Sequence, residues 1–144
     1  MENILKTQAV AKPEVINMLK QKGISPTQQR VEIAQILFSK PQHLSADQVM
    51  GIVNNGEQRV SKATVYNTLG LFANKGLVRE VIVDPTKIFY DSNIQSHHHF
   101  YNVDSGELTD IHAHTVQLNS YPELPEGTEA DGVDIVVRLR NKKD

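Results

Sequence analysis

Ser61-Lys62-Ala63-Thr64-Val65-Tyr66-Asn67-Thr68-Leu69-Gly70-Leu71-Phe72-Ala73-Asn74-Lys75-Gly76 is followed by a change of hydrophobic period, and that change decides the fold. Ser61 opens a helix. Val65, Leu69, Phe72 and Ala73 fall at i, i+4, i+7 and i+8, which makes one buried stripe. Lys62, Tyr66, Asn67 and Gly70 are left on the outward side, and Gly76 closes the helix. Beyond it, Leu77 to Val83 and Lys87 to Asp91 are rich in Val, Ile, Phe and Tyr. Asp84-Pro85-Thr86 turns between them, so the two runs read as a β-hairpin.

Upstream, the chain reads as further helices. Met1 to Lys12 is either a helical arm or a frayed end. Pro13 suits the first turn of a helix carrying Val15, Ile16 and Leu19, and Gly23 ends it. Ser25-Pro26-Thr27-Gln28 predicts a Ser-capped start for a helix through Val31, Ala34, Leu37 and Phe38. Ser45-Ala46-Asp47-Gln48 predicts a second capping box, with Asn55-Gly56 stopping the helix it opens. His43 falls in the turn between these two helices. Three or four helices followed by a hairpin is the winged-helix arrangement, an elaborated helix-turn-helix.

Downstream, Ser92 to Ser96 is a polar link. His97 to Val103 and Glu107 to about Leu118 predict a second hairpin around Ser105-Gly106. That loop would set Tyr101 opposite Asp110, His99 opposite His112 and His97 opposite His114. Tyr121 to Gly132 is turn-rich and acidic, and Val133 to Arg140 reads as a strand. The expected organisation is a winged-helix domain over 1–91, a linker over 92–96 and a small domain over 97–144. About fifty residues make a weak independent core, so pairing with a second copy is expected.

Composition narrows the class. No apolar run approaches the roughly 18 residues a membrane span needs. The start lacks the charged-then-apolar pattern of a signal peptide. There is no cysteine, hence no disulfide and no thiolate metal site. A cytoplasmic protein without a membrane partner is expected. The formal net charge of −2 hides an asymmetry: residues 1–91 hold 11 Lys/Arg against 8 Asp/Glu, and the remainder 4 against 9. The basic part could face phosphate.

His97-His98-His99 carries the chemistry. On a strand, alternate side chains share a face, so His97 and His99 lie together and His98 opposes them. Neutral imidazole is the commonest metal donor. His43, Asp91 and Asp110 would complete a set drawn from both parts of the chain. The bland alternatives are a solvated His-rich strand and a fortuitous metal site.

The motifs together resemble the ferric uptake regulator (Fur) family. They are Gly23-Ile24-x-x-Thr27-x-x-Arg30, Pro41-x-His43-Leu44-Ser45-Ala46-Asp47, Ser61 through Leu69, Gly76-Leu77-Val78, Tyr90-Asp91, and His97-His98-His99 with Gly106 and Asp110. The resemblance implies an α+β protein: an N-terminal winged helix-turn-helix domain, then a small C-terminal α/β dimerisation domain. It implies a homodimeric repressor that binds a double-stranded DNA operator and is not an enzyme. Its regulatory Fe²⁺ or Mn²⁺ site matches His43, Asp91, His97, His99 and Asp110, a donor set that also accepts Zn²⁺.

Two departures are informative. The family's structural zinc uses paired Cys-x-x-Cys motifs. Asn102 and Ser105 stand at the first pair and the second is missing, so no structural zinc held by four cysteines is expected. The segment after Asp110 is short, which implies a reduced dimerisation helix. With Asn67 after Tyr66, Leu124-Pro125-Glu126-Gly127 and the ending Val133 to Arg140, these departures resemble the iron response regulator (Irr) branch, whose members answer to haem and iron. Its Cys-Pro haem motif has no counterpart here, but the triple His does. His98, His112 and His114 are candidates for a second metal or haem site.

On this reading the helix from Ser61 enters the major groove. Tyr66 and Asn67 would meet base edges. Arg30, Ser61, Lys62 and Thr64 would meet phosphates, with the wing around Pro85 to Lys87 alongside. Two other classes stay open: a non-haem iron enzyme, which also uses two His and a carboxylate, and a winged helix used only for protein contacts.

Overall fold

The computed structural model describes residues 10–95, 97–112 and 114–143. The expected N-terminal arm lies almost wholly outside these residues. The chain divides into two compact units, Met1–Ile94 and Gln95–Asp144.

In the first unit, α1 (Lys12–Gln21) has Pro13 in its first turn and buries Val15 and Leu19. Gly23, at φ +75°, supplies the left-handed residue that ends it. Helix α2 (Gln28–Leu37) starts two residues later than the sequence suggests. Its cap is Thr27, whose hydroxyl accepts from the Arg30 amide at 3.2 Å. Ser25 instead uses its carbonyl, accepting from Arg30 Nη1 at 2.8 Å.

The turn expected around His43 is a strand, β1 (His43–Ser45). Three residues are too few to show a period, so only a partner strand reveals it. Ser45 ends β1 and also caps α3 (Ala46–Asn54). The Gln48 amide donates to Ser45 Oγ at 3.2 Å, and the Ser45 amide donates to Gln48 Oε1 at 2.9 Å. This is the reciprocal box the sequence predicts. Beyond α3, the Asn54 carboxamide oxygen accepts from the Arg59 and Val60 amides at 3.1 and 2.8 Å. That fixes the approach to α4 (Lys62–Asn74), whose cap is Ser61. Helix α4 buries Val65, Thr68, Leu69 and Phe72 and leaves Lys62, Tyr66 and Asn67 exposed. Ala73, expected in the stripe, is half-buried.

Strands β2 (Arg79–Asp84) and β3 (Lys87–Asp91) form the expected hairpin. The sheet order is β1-β3-β2, all antiparallel. A single apolar cluster, with Leu19, Ile33, Leu37, Val49, Leu69 and Phe72 fully buried, joins the helices and reaches Tyr90 of β3. Truncating a residue such as Phe72 to Ala in that cluster would cost about 3–5 kcal/mol.

In the second unit, β4 (His99–Asn102) lies between β5 (Leu108–Asp110), antiparallel, and β6 (Val136–Leu139), parallel. The β4–β5 register differs by two residues from the expected one: His99 pairs with Asp110, Phe100 with Thr109 and Tyr101 with Leu108. The cause is the turn. It spans Val103 to Gly106, because Asn102 Oδ1 accepts from the amides of Asp104 and Ser105 at 2.8 and 3.0 Å. Gly106, at φ +77°, then returns the chain. A shift of two keeps every side chain on its expected face. Strand β5 ends at Asp110, well short of the expected Leu118.

Asn102 thus organises this turn through its side chain. Its Nδ2 also donates to Asn141 Oδ1 at 2.9 Å, and the Asn141 amide donates to Asp104 Oδ2 at 2.8 Å. Those bonds tie the segment after β6 to the turn. Among the described residues of this unit there is no helix.

Candidate metal centre and nucleic-acid interface

Each unit gathers part of the predicted donor set. In the first, the β1–β3 ladder sets His43 opposite Asp91, with Nε2 4.0 Å from Oδ2. Asp91 is only 2% exposed, and its Oδ1 accepts from the Asn93 amide at 2.9 Å. A carboxylate so desolvated requires compensating hydrogen bonds or a cation.

In the second unit, His97 and His99 share a face, as the alternation predicts. Their ring centroids are 4.5 Å apart, and both Nε2 atoms lie 3.3 Å from Asp110 Oδ1. Asp110 reaches them because it pairs directly with His99. His97 Nδ1 lies 2.6 Å from the Gln95 carbonyl. A carbonyl only accepts, so Nδ1 carries a proton, and Nε2 is the atom turned to Asp110. In the neutral ring that Nε2 is a metal donor, 3.3 Å from a carboxylate oxygen. Donors bound to one ion at about 2.0–2.1 Å stand roughly 3.0–3.4 Å from each other. The triad therefore fits a divalent ion with nitrogen and oxygen preference, as Fe²⁺, Mn²⁺ and Zn²⁺ have. His99 is buried and Asp110 is 56% exposed, so the site has a solvent side.

The other histidines separate from this group. His98 faces away and its Nδ1 accepts from the Ile135 amide at 3.1 Å, which anchors the approach to β6. His112 and His114 are exposed and lie beyond β5, so the expected face shared by every His and Asp110 does not form. The Gln95 carbonyl that orients His97 had no sequence signal, because a backbone acceptor is independent of residue type.

On α4, Tyr66 is 42% exposed and Asn67 is exposed beside it. Lys62 Nζ lies 5.7 Å from the Tyr66 ring centroid. Ser61 and Thr64 serve the helix start: the Thr64 amide donates to Ser61 Oγ at 3.1 Å, and that hydroxyl donates to Thr64 Oγ1 at 3.0 Å. The Arg30 guanidinium is held by the Ser25 carbonyl. At the tip of the β2–β3 hairpin, Asp84 Oδ1 accepts from the Thr86 amide at 2.7 Å and its hydroxyl at 2.8 Å. The Thr86 hydroxyl, then its amide, hold the Asp84 carboxyl below its ordinary value. Among the described residues no helix is long and apolar enough to cross a membrane.

Comparison with known proteins agrees with this architecture. The profile of the Ferric uptake regulator family matches residues 21–136. The peroxide-responsive repressor PerR of Staphylococcus epidermidis is 30% identical over 113 residues, 78% of this chain and 70% of that protein. The same repressor of Staphylococcus aureus is 31% identical over 113 residues, 78% and 71% of the two chains. Among solved structures, the ferric uptake regulator of Pseudomonas aeruginosa with manganese has a TM-score of 0.63 at 26% identity, covering 88% of this chain and 97% of that one. The Francisella tularensis ferric uptake regulator with iron shares the fold, with a TM-score of 0.64 at 21% identity, covering 83% and 93%.

Proposed function

Because the chain belongs to the ferric uptake regulator family, we propose that it is a metal-responsive, DNA-binding transcriptional repressor and not an enzyme. The observation that carries the metal reading is Asp110 Oδ1, within 3.3 Å of both His97 and His99 Nε2. We assign His43 and Asp91 to the same ion, as the family resemblance implies. A bound ion supplies a fixed positive charge that satisfies all its donors at once. Donors drawn from both units would be held together only while the ion is present. The fraction of protein competent for DNA then follows the metal concentration. Fe²⁺ or Mn²⁺ is the assigned ion, with Zn²⁺ able to occupy the same donors.

Tyr66 and Asn67 on the open face of α4 are assigned to base edges, and Lys62 and Arg30 to phosphates. Ser61 and Thr64, expected at phosphates, have their hydroxyls turned to the helix cap, and their backbone position remains the contact we assign. The working form is a cytoplasmic homodimer on an operator with two half-sites. The regulated genes serve iron handling or oxidative stress. The PerR relatives favour a peroxide-linked response. The triple His supports the Irr-like alternative, in which haem engages His98 with its neighbours.

The test is DNA binding by the protein as purified, stripped by chelator and reloaded with Mn²⁺ or Fe²⁺. Metal should restore salt-dependent binding to a selected duplex, and His97→Ala should abolish that restoration. Binding that is indifferent to metal would defeat the reading. Haem titration followed by its Soret band, on wild type and His98→Ala, separates the Irr-like alternative.

A further inference from the structure

Asp47 is the second residue of α3, inside the capping box formed by Ser45 and Gln48, but the box does not use its carboxylate. That carboxylate points elsewhere. The Tyr66 hydroxyl donates to Asp47 Oδ1 in a long contact of 3.4 Å. On the ring itself, Lys62 Nζ stands 5.7 Å from the centroid, within cation–π range. Tyr66 is otherwise a half-exposed ring on the open face of α4, with two side-chain torsions to settle. The hydroxyl contact sets the direction of the ring, and the ammonium lies over its face.

We propose that Asp47 is a positioning residue for Tyr66, directing the ring so that sequence preference sharpens while its own charge weakens attachment to DNA. The inference rests on the assignment of α4 as the reading helix. The two effects come from different physics. A ring held in one direction meets a base edge without first losing torsional freedom. A carboxylate on a surface facing phosphates opposes the counterion-release term that drives all DNA binding. Asp47 should therefore raise discrimination and lower general affinity. A residue that merely supports α3 through its first turn would change both affinities in the same direction.

The experiment uses the full chain loaded with Mn²⁺. One duplex is selected by the wild-type protein from a random pool, and the other is a scrambled duplex of the same composition. Asp47→Ala should lower the ratio of the two affinities about three- to tenfold, while affinity for the scrambled duplex holds or rises. Asp47→Asn retains an acceptor oxygen without the charge, so it should keep the ratio and still bind the scrambled duplex more tightly. Tyr66→Phe should lower the ratio as Asp47→Ala does, and the double variant should add nothing further. Thermal unfolding of each variant checks that the fold is intact. Independent, additive effects of Asp47→Ala and Tyr66→Phe would overturn the proposal, as would equal loss on both duplexes. A normal ratio in Tyr66→Ala would defeat the reading-helix assignment and this inference with it. A lowered ratio in Tyr66→Ala but not in Asp47→Ala would defeat this inference alone.

Discussion

His43 stands opposite Asp91 across the β1–β3 ladder, with Nε2 4.0 Å from a carboxylate oxygen that is almost fully buried. The pairing joins residues 48 positions apart, one at the start of a three-residue strand and the other at the end of the hairpin. Neither residue alone suggests a metal. Held together, they are a ready pair of donors. His43→Ala should weaken Mn²⁺ binding by about tenfold or more, since it removes a donor outright. Calorimetry on the chelator-stripped protein measures it, and unchanged affinity would remove His43 from the assigned set.

The three consecutive histidines should respond unequally. His97→Ala and His99→Ala should each weaken Mn²⁺ binding strongly, because both Nε2 atoms face Asp110. His98→Ala should leave metal affinity within a few-fold. It should instead lower stability by about 1 kcal/mol, through loss of the acceptor for the Ile135 amide. Calorimetry and urea unfolding on the three variants separate the two effects. Equal metal loss at 97 and 98 would contradict the strand alternation.

Tyr66→Ala should weaken binding to the selected duplex and relax its sequence preference by about 1–3 kcal/mol at the base it meets. Lys62→Ala should weaken binding similarly on all sequences and reduce the salt slope by about 1. Titrations at several salt concentrations distinguish a base contact from a phosphate contact. Wild-type behaviour in both variants would show that another surface meets DNA.

The hairpin tip should loosen in acid. The folded protein holds the Asp84 carboxyl below its ordinary value of 3.8, chiefly through the Thr86 hydroxyl and then its amide. Since the folded value is the lower one, the stabilisation is fully present above about 3.8 and is lost as pH falls through the folded value. The chemical shift of the Asp84 carboxyl should titrate with a midpoint below 3.8, and Thr86→Ala should move that midpoint upward. A midpoint at or above 3.8 in the wild-type protein would contradict the turn geometry.

The protein should be a dimer in solution. Strand β6 exposes Val137 and Leu139, and the unit that holds it is small. A second copy would cover such an edge. Light scattering at micromolar concentration should give about twice the 16.1 kDa chain mass. A stable monomer, with and without Mn²⁺, would count against it.

Much of this was legible in the chain because it is local chemistry. Ser45 and Ser61 each meet an amide three residues on. The spacing of Val65, Leu69 and Phe72 names the buried side of α4. Alternation along a strand puts His97 with His99 and sets His98 apart. These features depend on neighbours within one or two turns, which the sequence spells out directly.

What only the tertiary structure decided is pairing between distant segments. Thr27 took the cap that Ser25 was expected to hold. Strand β1 exists only because β3 lies beside it, so the His43–Asp91 pair could not be read from a three-residue run. The Asn102 side chain lengthened the β4–β5 turn and moved Asp110 from opposite Tyr101 to opposite His99. A two-residue slip preserves the face of every side chain, so local pattern cannot distinguish the two registers. The competing hydrogen bonds of the turn do.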